Sequence, residues 1–175
     1  LRANARHWDV MKFDANGACL FNNIYGINDF NASGTFNYLS HTNIIGKQLA
    51  YFTEGDAYDL VQDPIGNIAI VGNYTDYQDG GNRKAAIIKI DNTGKVLGRR
   101  FLNPLSGGVS VARAVEFANI SGTDYYIIAV TQQNATNTSV DVYALPTSLA
   151  GAPILLHSFI FCLPNIYCME FGCKK

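Results

Sequence analysis

The chain predicts an all-β fold of four-stranded antiparallel sheets, on three observations. Apolar residues fill 48% of its 175 positions, yet they come in short runs rather than in helical stripes. Those runs are bounded by Gly, Pro, Asn and Asp, the residues that close hairpins. Tyr and Phe contribute ten residues each while charged residues make up only 15%, a composition that suits pleated, half-buried surfaces.

Residues 55–101 carry the clearest unit. Its runs AYDLVQ, NIAIVGNY, AAIIKI and KVLGRRF are separated by Asp63-Pro64-Ile65-Gly66, by the polar loop 76–84 and by Asp91-Asn92-Thr93-Gly94. Consecutive strands joined by such turns pair as a meander. The Asp that opens each D-x-x-G turn is placed to accept hydrogen bonds from nearby backbone amides, which is a structural role.

The unit recurs along the chain. WDVMKF and ACLFNNIYG flank Asp14-Ala15-Asn16-Gly17 just as AAIIKI and KVLGRRFLN flank Asp91-Asn92-Thr93-Gly94. This aligns Lys12 with Lys89, Phe13 with Ile90, and Cys19-Leu20 with Val96-Leu97. Residues 9–24 are therefore a second copy of the last two strands. A looser third copy comprises VARAVEF, DYYIIAV, VDVYALP and ILLHSFI, with the last turn replaced by a longer loop holding Gly151 and Pro153. A single four-stranded sheet cannot bury both of its faces, whereas neighbouring sheets can bury them for one another.

The motif D-P-x-G-N followed by alternating apolar residues, and then K-(apolar)-D-x-x-G-x-(apolar), resembles the β-propeller repeats of secreted and surface proteins. Proteins with SBBP-type repeats are the nearest group. The resemblance is clear over 9–24 and 57–101 and loose over 111–161. Units of roughly 50 residues match the spacing of propeller blades. The resemblance implies sheets packed as β-propeller blades in one domain spanning 1–175. It would comprise a half blade at 9–25, an insertion at 26–54 with short strands around 43–52, full blades at 56–101 and 111–161, and a Cys-rich tail at 162–175. Such repeats share no catalytic motif, and a fold by itself assigns no activity.

Incomplete blades at both termini predict association. A half sheet exposes unpaired backbone groups that invite another strand. We expect Trp8, Val10, Met11 and Phe13 to form the receiving edge, with Ile166, Tyr167, Met169 and Phe171 of the tail as the donor. The tail could pair with its own chain. Alternatively it pairs with a like subunit in a head-to-tail contact that closes a ring or runs on as a filament.

Other features point outside the cell. Asn31, Asn73, Asn119, Asn134 and Asn137 all begin N-x-[ST] sequons. Cys19, Cys162, Cys168 and Cys173 are even in number, which suits disulfides in an oxidising compartment, including a link from Cys19 to the tail. The tail spacings, with five and four intervening residues, do not fit a zinc site. Leu1 is not an initiator Met, so we expect an upstream segment to have been removed.

The net charge of −1 gives no support for nucleic acid as a partner. No apolar run reaches the about 20 residues of a membrane span. His7, His41 and His157 are scattered, and no nucleophile elbow, phosphate-binding loop or dinucleotide fingerprint is present. Glu54, Asp56, Asp59 and Asp63 gather around one strand, but the turn role of Asp63 argues against a catalytic pair. Asp76, Asp79 and Asn82 could offer oxygen atoms to calcium, although their spacing fits no standard loop. We therefore expect no cofactor and no enzymatic activity, and read a secreted structural or adhesive subunit that forms homo-oligomers or filaments. One alternative is a glycan-binding module using Phe36, Tyr38, Tyr51, Tyr74 and Tyr77. Another is a fragment of a larger propeller protein.

Overall fold

The computed structural model describes residues 8–25, 38–40, 54–76, 82–102, 108–133 and 137–162. All regular structure among them is β. Strands β1 (Trp8–Phe13), β2 (Cys19–Tyr25) and β3 (Tyr38–Ser40) form an N-terminal sheet in the order β1-β2-β3. Strands β4 (Glu54–Gln62), β5 (Ile68–Asp76), β6 (Asn82–Ile90) and β7 (Val96–Phe101) form a central meander. Strands β8 (Val109–Ile120), β9 (Thr123–Gln133), β10 (Asn137–Pro146) and β11 (Ile154–Cys162) form a C-terminal one. All described strand pairs are antiparallel. The N-terminal unit departs from the two strands expected, because Tyr38–Ser40 pairs with the end of β2. The strands expected around 43–52 lie outside the described residues.

The turns follow their chemistry. In all three D-x-x-G hairpins the Gly amide donates to the carbonyl of the opening Asp, and the Asp amide donates to the carbonyl four residues on. Oδ1 of Asp14, Asp63 and Asp91 accepts from the amide of Ala18, Asn67 and Lys95 respectively. Gly17, Gly66 and Gly94 have φ between 81° and 91°, a conformation that penalises any residue with a Cβ. The β8–β9 connection is a two-residue turn with both central residues, Ser121 and Gly122, at positive φ, the twist-matched hairpin geometry.

The recurrence read from the sequence extends to the register. In β1–β2 the pairing slips between Lys12 and Phe13, and in β6–β7 between Lys89 and Ile90, at the aligned residues. In β10–β11 it slips between Val142 and Tyr143. The residue skipped on the outer strand is Leu20, Leu97 or Leu156. The first hairpins of the two complete sheets match as well: Tyr58 is skipped in β4 and Arg113 in β8. A bulge sharpens the local twist of a strand, so equal bulges give the sheets like curvature. The two skipped residues then meet across the sheets, with the Arg113 guanidinium 4.4 Å from the Tyr58 ring centroid.

The sheets stack face to face, with the central one covered on both sides. Alternation along β5 and β6 sends Ile68, Ile70, Tyr74, Ala86, Ile88 and Ile90 to one face, against Trp8, Val10 and Tyr25. Ala69, Val71, Ala85 and Ile87 go to the other face, with Leu102, against Ala112, Val115, Tyr126, Ile128, Val130 and Leu145. Strands buried on both faces read as continuous apolar runs, which is why IAIV and AAII are the most apolar stretches of the unit.

Candidate interaction surface

The outer surfaces of the stack carry exposed apolar groups. On the N-terminal sheet, Trp8 and Val10 point inward, while Met11 and Phe13 alternate outward and are 53% and 54% exposed. Leu20 stands beside them, also exposed. Strand β1 is an edge of its sheet: its one strand partner among the described residues is β2. Its counterpart β6, by contrast, lies between β5 and β7.

At the opposite end, β11 is the edge of the C-terminal sheet. Ile154, Leu155, Leu156, Phe159, Ile160 and Phe161 are all exposed along it. His157 and Phe159 share one face and touch edge to face, with ring centroids 4.3 Å apart. A long, apolar edge with one strand partner among the described residues is what sheet proteins ordinarily shield with charge, proline or a partner.

Of the expected assembly residues, Trp8 and Val10 turn their side chains inward, while their backbone lies on the edge strand β1. Trp8 and Val10 are not available to a partner through their side chains, because both are plugs into the central sheet. Trp8 is fully buried and stacks on Tyr74 at 4.7 Å. Met11 and Phe13 remain outward. Ile166, Tyr167, Met169 and Phe171 lie outside the described residues.

Polar groups inside the stack join sheets to one another. The Asp63 carboxylate, 5% exposed, accepts from the Asn67 side chain and from the Tyr126 hydroxyl, and lies 3.5 Å from Lys89 Nζ. Burial alone would raise its pKa. The Asn67 hydrogen bonds, the Tyr126 hydroxyl and the Lys89 ammonium outweigh that and hold it below the ordinary value. Burial, then the Asp63 charge, pushes the Tyr126 hydroxyl up. Asp59 accepts from the amide of Val115 on the neighbouring sheet. In the C-terminal sheet, Asp141 accepts from Gln132, from the Tyr143 hydroxyl and from the Ser158 hydroxyl. These carboxylates are satisfied by structural partners. Among the described residues no three His, Cys, Asp or Glu side chains converge to hold a metal ion.

Asn73 is buried at 1% exposure, its amide reaching the Tyr58 hydroxyl, and the folded sheet leaves no room there for a glycan. A sequon records three residue types and is blind to which face of a strand its Asn occupies. Asn119 and Asn137 are exposed, although the Asn119 amide also donates to Asp124. Asn31 and Asn134 lie outside the described residues. Tyr74, expected among sugar-stacking aromatics, is fully buried and its hydroxyl donates to the Tyr25 carbonyl. No disulfide forms among the described residues: Cys19 is an exposed free thiol, Cys162 ends β11, and Cys168 and Cys173 lie beyond them. No helix among the described residues is long and apolar enough to cross a membrane.

Sequence reasoning missed the junction between the central and C-terminal sheets. Asp63, Lys89 and Tyr126 are far apart in the chain, and a meander read strand by strand does not say which faces meet. The aligned lysines were the signal that could have found it, since Lys12 and Lys89 make matching contacts to the next sheet. No family model matches the chain, and neither the curated proteins nor the solved structures contain a match to it.

Proposed function

We propose that the chain is a non-catalytic extracellular structural or adhesive subunit, built of propeller-like blades, that self-associates by completing its unfinished sheet with a strand from a like subunit. The observation that carries this reading is the open side of β1. Its counterpart β6 has two further strands on that side, whereas β1 has none among the described residues. A strand that enters there gains a full ladder of main-chain hydrogen bonds, the usual energetics of strand addition. The tail segment 166–171, with its alternating apolar residues, is the donor. The paired count of cysteines and the exposed sequon residues Asn119 and Asn137 support an extracellular setting.

Sedimentation velocity of the full chain over a wide concentration range tests this. Association that rises with concentration, and is lost on Tyr167→Pro, supports strand addition. A species that stays monomeric throughout contradicts it. A second reading, consecutive blades of a longer propeller, draws on the same stacked arrangement. It predicts that the native polypeptide, detected in its source with an antibody against this chain, has a far larger mass.

A further inference from the structure

The register defines which positions of the three sheets correspond, and corresponding positions make corresponding contacts. Lys12 Nζ donates to the Asn92 carbonyl in the β6–β7 turn of the next sheet. Lys89, its counterpart, donates to the Thr147 carbonyl in the β10–β11 connection of the sheet after that. Asn23 Nδ2 donates to the Gly94 carbonyl. Arg100, the counterpart of Asn23, donates to the carbonyl of Gly151, another glycine at positive φ in the corresponding connection. The same pair of faces is thus used twice: a forward face on one sheet meets a backward face on the next.

Carrying the correspondence to the two ends shows what is uncovered. On the forward face, Tyr25 and Leu102 are buried at 0% and 2%, but the matching Phe161 of the C-terminal sheet is 56% exposed. Phe159 stands where Arg100 stands, Val142 where Lys89 does, and Val140 where Ile87 does. On the backward face, Ile88 and Ile90 are fully buried, but the matching Met11 and Phe13 are more than half exposed. One chain therefore carries both halves of an interface it already forms twice internally, with one half open at each end.

We infer that the forward face of the C-terminal sheet, centred on Val140, Val142, Phe159 and Phe161, docks on the backward face of the N-terminal sheet of a second copy, centred on Met11 and Phe13. A second copy is the occupant because it carries the complementary face by construction, and the contact continues an interface present in the chain. The contact is heterologous, so it closes into a ring or propagates. Two copies would align three sheets each, six in all, within the four to eight of closed propellers. This inference rests on the self-association proposed above but uses sheet faces rather than the strand edge.

The test uses two double variants of the full chain, Met11→Glu with Phe13→Glu, and Phe159→Glu with Phe161→Glu, and Ile65→Glu in an exposed turn as control. Circular dichroism checks that each is folded, and sedimentation velocity reads association. The parent and the control are expected to associate, each double variant to be monomeric, and an equimolar mixture of the two double variants to form a dimer and nothing larger. Val142→Lys, which restores the residue type found at Lys12 and Lys89, is expected to tighten association several-fold through the Ala15 carbonyl of the second copy. Double variants that associate like the parent overturn the face docking and leave strand addition standing. A mixture that remains monomeric overturns the head-to-tail geometry. A parent that is monomeric at every concentration overturns self-association itself, and the end faces are then covered by the tail or by a different partner.

Discussion

At the junction of the N-terminal and central sheets, the indole of Trp8 stacks on Tyr74 with the ring planes inclined by 28°, and a Cβ added to Gly72 would sit 2.7 Å from the indole. At the junction of the central and C-terminal sheets, Ala85 stands where Trp8 stands in the first. There the Ala85 amide donates to the Ser110 hydroxyl, and Asp63, Lys89 and Tyr126 form a buried polar group beside the aliphatic core. One stacking relation is filled in two ways: a large side chain, Trp8, against Gly72 in the first case, and a small one, Ala85, at the same position in the second. The faces are kept by the alternation of the strands, and the filling varies as long as the volume is conserved. The first junction sets three aromatic side chains, Trp8, Tyr25 and Tyr74, among its aliphatic ones. The second spreads its burial over many aliphatic ones and adds charge.

Trp8→Ala should have the largest effect, because it empties the centre of the first junction and leaves Gly72 with nothing opposite. A loss of about 3–5 kcal/mol is expected for a fully buried tryptophan. Chemical denaturation followed by near-ultraviolet circular dichroism checks it. The second junction should outlast the first in the variant, and equal loss at both would break the comparison.

The aligned lysines sharpen it next. Lys89→Met removes the ammonium 3.5 Å from the buried Asp63 carboxylate, which keeps its hydrogen bonds from Asn67 and Tyr126, and a loss of about 1–3 kcal/mol is expected. Lys12→Met removes a contact of 3.4 Å at the exposed rim and should change stability by less than about 0.5 kcal/mol. Equal effects in paired urea titrations would show that the two positions are not used differently.

A smaller effect is expected from acid. The folded pKa of Asp63 lies below its ordinary value of 3.8. Its charged form therefore contributes stability in full above that value, and the contribution is lost as pH falls through the folded pKa. Asp91 is lowered in the same direction, chiefly by the Thr93 hydroxyl. Asp63→Asn should be less stable than the parent at pH 7, with the gap narrowing below about pH 4. A gap that does not change with pH would remove the charge of Asp63 from the account.

Much of this fold was legible before any coordinates. Asp14, Asp63 and Asp91 announced their turns because local hydrogen bonding decides a D-x-x-G hairpin. The likeness of Lys12 to Lys89 pointed to a repeat that the register then carried to single residues. Strand β3 was not legible, because three residues are too few to show alternation. The burial of Asn73, and the inward direction of Trp8 and Val10, depend on which faces meet, and that is decided by contacts between sheets far apart in the chain. The sequence suggested an unfinished edge, but the exposure of Met11 and Phe13 at one end and of Phe159 and Phe161 at the other was visible only once the sheets were stacked.

Amide hydrogen exchange, residue by residue and at two protein concentrations, tests the central claim most directly. At low concentration the account predicts that β5 and β6, covered on both faces, exchange slowest, and that β1 and β11 exchange fastest of the strands. At high concentration β1 and β11 should gain protection together while β5 and β6 stay as they were. Protection of β11 equal to that of β5 at low concentration, or ends that do not respond to concentration, would contradict a stack with two open and complementary faces.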